Sequence, residues 1–163
     1  MKHTLTVLVE NQAGVLSKIS GLFSRRGFNI DSLAVGVTND PKLSRITIVA
    51  DGDEYVLEQL EKQLNKLIPV IKVKAFEEGK YISRELSLIK VNCPAPKRAE
   101  VLKVAEMSSA KLCDVTQTTV TFEISDTAEN TEILISLLKP YGIREIVRTG
   151  TVAIEKGTAS TTA

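Results

Sequence analysis

Residues 10–36, ENQAGVLSKISGLFSRRGFNIDSLAVG, predict a polar turn, a helix and a strand in immediate succession. The apolar residues of the helix recur at the spacing of one buried face: Val15, Ile19, Leu22 and Phe23. Two arginines occupy its last turn, where cations suit the helix dipole, and Gly27 follows at a position typical of a helix end. The residues after Gly27 are expected to be extended.

The entrance to this helix is a candidate binding turn, formed by Asn11, Gln12, Ala13 and Gly14. Because Gly14 has no Cβ, a ligand can approach the backbone closely there. The first N–H groups of a helix lack intrahelical partners and carry a partial positive charge, so they favour a carboxylate. Many α/β domains open with such a turn and bind nothing there, so the pattern alone leaves the function open.

The element order within residues 1–76 is predicted to be β-α-β-β-α-β. Alternating apolar residues predict strands near 4–9, 28–37, 45–50 and 70–76. A second helix, with a cap among residues 51–53, has this inner stripe: Leu57, Leu60, Leu64 and Leu67. This order is that of the split βαβ, ferredoxin-like fold, with both helices on one face of an antiparallel sheet. The other face must be covered by another element or remain polar.

The same order returns after a predicted linker at residues 77–84. Strands are expected at 86–92, 111–116 and 118–124, and a single bent strand at 143–154. The two helices between them are expected to bury these residues: Ala99, Leu102 and Ala105 in one, with Val101 as a further candidate, and Ile133, Leu134, Leu137 and Leu138 in the other. The fold class is therefore α+β with two ferredoxin-like βαββαβ domains, 1–76 and 85–157, and a disordered tail at 158–163.

Composition limits the classes of function. The 163 residues include 21 basic and 20 acidic side chains, so the net charge of +1 offers no basic excess for nucleic acid or an anionic membrane. No apolar run approaches the length of a membrane span, and a cytoplasmic location is expected. Cys93 and Cys113 are few and far apart, which favours reduced, buried thiols, with a disulfide as the alternative.

Catalytic and metal-binding motifs are missing from the sequence. His3 is the single histidine, and there is no Cys-x-x-Cys pair, nucleophile elbow or phosphate-binding glycine loop. RNA binding is the structural rival, because RNA-recognition domains share this element order. They need aromatic residues on the central strands, whereas the third strand here has Ile46, Thr47 and Ile48.

Several stretches together resemble the regulatory small subunit of acetolactate synthase, whose N-terminal domain is an ACT domain. The resemblance rests on E10-N-x-x-G14-V-L-S, G21-L-F-S-R-R-G-F-N-I30, S32-L-A-V and S44-R-I-T. It continues in Q63-L-N-K-L-I68 and in L137-L-K-P-Y-G-I-R-E-I-V-R-T-G150, and extends to about residue 157. It implies an N-terminal ACT domain followed by a C-terminal ACT-like domain.

This resemblance implies a subunit without its own active site or cofactor. The family's large catalytic subunit carries thiamine diphosphate, FAD and magnesium, and the small subunit activates it and confers feedback inhibition, most often by valine. The effector lies between two ACT domains of a homodimer. The residues expected to bind it are Asn11, Gln12, Ala13 and Gly14 of one chain, Asn29 and Ile30 of the facing chain, and an apolar wall of Val35, Val9 and Val15. A free-standing ACT-type sensor that regulates another biosynthetic enzyme is the alternative.

Overall fold

The computed structural model describes residues 1–163, which fold as two units. The first unit contains Met1–Ile82 together with Thr151–Ala163, and the second contains Ser83–Gly150. The chain returns to the first unit at its end, so its last residues complete a domain that begins at the N-terminus.

The chain contains nine strands and four α-helices. The first half contains β1 (Lys2–Glu10), α1 (Val15–Arg26), β2 (Ile30–Val37), β3 (Leu43–Asp51), α2 (Glu54–Asn65) and β4 (Val70–Ala75). The second half contains β5 (Tyr81–Asn92), α3 (Arg98–Met107), β6 (Lys111–Val115), β7 (Thr119–Asp126), α4 (Ala128–Leu138), β8 (Ile143–Arg148) and β9 (Val152–Glu155). Both halves repeat the predicted β-α-β-β-α-β order, and the ferredoxin-like fold class is confirmed.

The first unit has a four-stranded antiparallel sheet in the order β2-β3-β1-β4. Its core joins the sheet to α1 and α2, and α1 buries the four residues that its periodicity predicted. Gly27 ends α1 with a φ of +69°, a left-handed conformation that glycine adopts without strain. Asp53 caps α2, since its side chain accepts a hydrogen bond from the N–H of Val56.

The face of this sheet opposite the helices is also covered. Leu8 lies opposite Arg45, and Thr6 lies opposite Thr47, in the β1–β3 register. Leu8, Thr6 and Thr47 are all buried. Residues of the C-terminal segment bond to this face, because Arg45 donates to the carbonyl of Thr161 and Lys74 pairs with Glu155. The cover that the sequence left unidentified therefore includes the end of the chain.

The second unit has the strand order β6-β7-β5-β8, with α3 and α4 packed against its core. The predicted inward residues of β7 are buried: Val120, Phe122 and Ile124. The prediction for α4 was half wrong, because Leu134 and Leu138 are buried while Ile133 and Leu137 are exposed. Thr131 takes the remaining inward position of that helix. In α3, Val101 and Ala105 are buried, whereas Ala99 is exposed.

Three features of the chain differ from the sequence expectations. The strand expected at 143–154 is broken at Gly150, whose φ is +87°, and its second part, β9, belongs to the first unit. The expected linker at 77–84 already contains the start of β5 at Tyr81. The expected disordered tail places Thr161 in a buried position, where hydrogen bonds join it to Arg45 and Glu155.

Both cysteines are free thiols, but only Cys93 is buried, so the prediction of burial was wrong for Cys113 on β6. None of the helices combines the length and apolar character required to cross a bilayer.

Candidate functional site

The turn between β1 and α1 is open to solvent. Asn11, Gln12, Ala13 and Gly14 are all exposed, while Val15 is buried beneath them as the first core residue of α1. The turn begins where the register of β1 with β3 ends, at the pair formed by Glu10 and Leu43. A ligand can therefore reach the backbone of the turn without displacing any part of the core.

The helix α1 begins without a side-chain cap. Gly14 stands at the N-cap position, and the first intrahelical bond joins the N–H of Lys18 to the Gly14 carbonyl. By contrast, Asp53 caps α2 and Thr127 caps α4. The first N–H groups of α1 thus have no intramolecular acceptor and point toward solvent, an arrangement suited to an anion.

Gly14 is needed at this position for conformational reasons. Its φ is +84°, and a Cβ added to it would meet no atom within 4 Å. Any other residue would therefore be strained by about 1–2 kcal/mol without a steric clash in the free chain. A side chain here would instead enter open space at the start of the helix.

The side chain of Asn11 is fixed by the turn between β2 and β3. Its Nδ2 donates to the carbonyl of Pro41 at 3.0 Å, and its backbone N–H donates to the carbonyl of Lys42 at 2.8 Å. Because Nδ2 is engaged, the Oδ1 atom is the free end of the amide and can accept a hydrogen bond. Asn11 can thus receive an ammonium group beside N–H donors that suit a carboxylate.

Asn29 and Ile30 lie at the opposite end of the same sheet. Ile30 pairs with Ala50 of β3, whereas the Asn11 turn follows the pair Glu10–Leu43. Ala50 and Leu43 are seven residues apart, which is roughly 23 Å along a strand. A ligand of amino-acid size cannot touch both groups in one chain. The structure therefore does not bring the predicted site residues together within a single chain.

Two of the expected wall residues are poorly accessible. Val9 and Val15 are 2% and 6% exposed, so they can shape a pocket floor but offer little surface to a ligand. Val35 is 50% exposed on β2, which is an edge strand of the sheet. Of the three, Val35 is the residue that can contact a ligand or a second chain.

Other kinds of site find little support. No group of three or more His, Cys, Asp or Glu side chains is arranged to hold a metal ion. His3 bonds the carbonyl of Gly52 through Nε2. The central strands β1 and β3 contain no Phe, Tyr or Trp, so the sheet lacks the paired aromatic residues on which RNA-recognition domains stack bases.

The chain matches two family models that together span most of its length. Residues 5–72 match the AHAS small subunit-like ACT domain, and residues 84–157 match the small subunit of acetolactate synthase. The chain belongs to the family of acetolactate synthase small subunits. The open turn, residues 11–14, and Asn29 both lie within residues 5–72, which match the ACT domain.

Relatives of the acetolactate synthase small-subunit family match the chain from end to end. The acetolactate synthase small subunit of Mycolicibacterium smegmatis is 50% identical over 155 residues, which is 95% of this chain and 91% of that protein. The isozyme 3 small subunit of Salmonella typhimurium is 41% identical over 158 residues, covering 96% and 97%. The crystal structure of the Thermotoga maritima small subunit superposes with a TM-score of 0.90 at 37% identity, covering 98% and 99%.

The sequence did not identify the groups that hold the candidate turn, residues 11–14, in place. Pro41 and Lys42 were visible only as part of a turn, yet their carbonyls fix Asn11. The pairing of β1 with β3 brings them there, since it aligns the end of one strand with the start of the other. A register estimate from the two apolar patterns could have found this contact.

Proposed function

We propose that this chain is the regulatory subunit of acetolactate synthase, which activates the catalytic subunit and confers feedback inhibition by valine. The observation that carries the proposal is the uncapped start of α1 in a chain of this family. An uncapped helix start beside the side-chain Oδ1 of Asn11 suits the carboxylate and ammonium groups of a free amino acid.

One turn alone is too weak a site. A carboxylate at a helix N-terminus gains about 0.3–1 kcal/mol when exposed and up to about 2 kcal/mol when partly buried. Even millimolar binding requires about 4 kcal/mol. Apolar contacts and further hydrogen bonds must supply the difference, which a second chain closing over the ligand would provide.

The edge strand β2 is suited to pairing with a second copy. It is an outer strand of the sheet, and within residues 30–37 it has a single charged side chain, Asp31. An unpaired apolar edge is a template for strand addition. Antiparallel pairing of two β2 strands would bring the N-terminal end of one beside the C-terminal end of the other. Asn29 and Ile30 of the facing chain would then approach the Asn11 turn.

In this proposal the catalytic chemistry belongs to the large subunit. Thiamine diphosphate, FAD and magnesium are held there, and this chain contributes no catalytic residue. Valine binding between two ACT domains favours one dimer geometry, and the catalytic subunit responds to that geometry. A coupling of about 1–3 kcal/mol would change the activity roughly 5–150-fold, provided the binding equilibrium carries over to the active state.

Gly14→Asp tests the assigned site. The added carboxylate lies where the effector's carboxylate is expected, so we expect valine binding to weaken at least about tenfold, or about 1.4 kcal/mol. Activation of the catalytic subunit should remain. Calorimetric titration of the purified dimer and inhibition of the reconstituted enzyme measure the two effects.

Two substitutions separate charge from backbone strain. Gly14→Ala introduces the strain at the same position without a charge, and Gly79→Ala introduces it in another open turn, where φ is +78°. Gly79→Ala should bind valine as the wild type does. Full valine sensitivity in Gly14→Asp would show that the site is elsewhere. Failure of the chain to copurify with the catalytic subunit would favour the alternative of a sensor for another enzyme.

A further inference from the structure

The C-terminal segment Thr151–Ala163, called the strap below, is bonded to the sheet face opposite the helices. Arg45 Nη2 donates to the Thr161 carbonyl at 2.7 Å, and Lys74 Nζ lies 2.8 Å from a Glu155 oxygen. Thr161 is 5% exposed, and its hydroxyl donates to Glu155. The strap is therefore attached at β3 and β4 by charged side chains rather than by apolar packing alone.

Two further bonds fix the ends of β9. The N–H of Thr151 donates to the Ser32 hydroxyl of β2 at 2.7 Å, and the N–H of Lys156 donates to the Lys80 carbonyl. Together with the contacts of Arg45 and Lys74, these bonds attach the strap at four residues: Thr151, Glu155, Lys156 and Thr161. The last of them, at Thr161, lies beside the turn between β2 and β3.

A cavity of about 560 Å³ lies between the strap and this turn. Its lining residues are Leu8, Arg45, residues 37–40, Leu43, Ile154, Glu155 and residues 160–163. The strap forms one wall of this cavity and the turn another. Arg45 connects the two, because it bonds Thr161 and stands in β3 two residues after Leu43, where the turn ends.

The same turn holds the proposed effector site from its other side. The carbonyls of Pro41 and Lys42 fix the side chain and backbone of Asn11. Internal bonds stiffen the turn itself, since Leu43 N–H donates to Asp40 and Thr38 N–H donates to Leu43. A short bonded path thus runs from Thr161 through Arg45 and β3 to Asn11.

We propose that the strap, anchored by Arg45, positions the β2–β3 turn and thereby the effector-binding turn at Asn11. The proposal rests on the proposed function, because the binding affinity that the strap would alter is that of the proposed effector site. Arg45 is a positioning residue, and the ligand is the same free amino acid. By linkage, effector binding must hold the strap more tightly by the same factor that the strap improves effector binding.

Two variants test the proposal. Arg45→Gln removes the guanidinium that bonds Thr161, and a chain ending at Lys156 removes Thr161 itself. Hydrogen exchange without effector should be faster at Asn11, Thr38 and Leu43 in both variants. Calorimetry should show valine binding at least about fivefold weaker, while activation of the catalytic subunit without valine stays at the wild-type level. Lys66→Gln, which removes an exposed cation of the same unit that makes none of these contacts, is the matched control.

Reciprocity supplies a second readout in the wild-type chain. Valine should slow hydrogen exchange at Lys156, whose N–H reports attachment of β9, although this residue lies outside the effector site. Faster exchange in the turn with unchanged valine affinity overturns the link between strap and site, as does unchanged exchange in the turn. If the wild-type chain itself binds no valine, the effector assignment fails, while the exchange measurement still tests the positioning of the turn.

Discussion

Two buried threonines differ in whether their hydroxyl groups have a partner. Thr6, on the sheet face opposite the helices, is fully buried and its Oγ1 atom makes no hydrogen bond. Thr131 on α4 is also fully buried, but its hydroxyl donates to the Thr127 carbonyl at 3.0 Å. An unmade hydrogen bond in the interior is costly, whereas a satisfied one makes a modest favourable contribution.

The same substitution should therefore have opposite effects at these two positions. Thr6→Val removes an unpaired buried hydroxyl, and we expect the free energy of unfolding to rise by up to about 1 kcal/mol. Thr131→Val removes a made bond and should lower it by about 0.5–1.5 kcal/mol. Urea unfolding of both variants measures the difference, and equal effects of the two substitutions would contradict the assignment.

At the scale of single residues, the sequence identified some features of the candidate site and missed others. Gly14 and Asn11 were identifiable because a glycine and a small polar residue at a helix entrance have distinctive backbone roles. The exposure of Val35 and the burial of Val9 were not identifiable, because both are valines in apolar strand patterns. Only the strand order, with β2 at the edge and β1 in the middle, distinguishes them.

Among the elements, helix α2 contains an unfavourable carboxylate. Partial burial raises the pKa of Glu61, and the like charges of Glu58 and Glu54 on the same helix raise it further. A carboxyl group with a raised pKa in the folded state weakens folding when it is ionised. The penalty is therefore present at neutral pH and disappears as the pH falls through the raised pKa toward the ordinary value of 4.5.

Glu61→Gln should stabilise the protein at pH 7 by a few tenths of a kcal/mol, the size of a like-charge contact on a helix. The gain should shrink as the pH approaches 4.5. Glu129→Gln is the matched control, since Glu129 lies in the first turn of α4, where it favours the helix dipole, and it is not among the charges that raise the pKa of Glu61. We expect that variant to be less stable at pH 7. Thermal unfolding between pH 4 and pH 8 measures both, and a pH-independent gain for Glu61→Gln would rule out the electrostatic cause.

Helix orientation was predictable where the apolar stripe was narrow. In α1, four of the five apolar residues lie on one side and the charged residues lie elsewhere, and that apolar side is buried while Leu16 is exposed. In α4, the run ILISLL is apolar on several sides, so periodicity cannot choose between Leu134 and Ile133. Packing on the second sheet decides, and it accepts Thr131 because the hydroxyl bonds within the helix.

At the level of the whole molecule, the sequence analysis assigned residues 151–157 to the second domain, whereas the contacts of the folded chain group Thr151–Ala163 with the first unit. The residues after Gly150 continue a strand-like pattern, and β9 pairs with β5. Local patterns do not indicate which other parts of the chain such a strand will contact. The contacts that decide the placement join residues far apart in sequence, such as Lys74 with Glu155 and Arg45 with Thr161. The charge of Glu155 and the alternation of the residues around it did not indicate that Glu155 contacts Lys74 or Thr161.

The sheet of the first unit has two edges, β2 and β4, and each has an exposed apolar residue. Val35 on β2 is 50% exposed, and Ile71 on β4 is 42% exposed. The proposed homodimer uses only the β2 edge, because that edge brings the N-terminal end of one β2 to the Asn11 turn of the other chain. The two edges therefore provide a matched comparison.

Val35→Lys should convert the dimer to a monomer, because a lysine on an edge strand opposes strand addition. The two lysines, one from each chain, would also lie close together where the two β2 strands pair. Ile71→Lys makes the same chemical change on the other edge and should leave the dimer intact. Sedimentation velocity over a range of concentrations distinguishes these outcomes, with circular dichroism to confirm that both variants fold. Dissociation by Ile71→Lys instead would place the interface at β4. Asn29 of the facing chain would then lie too far from the Asn11 turn to bind the effector.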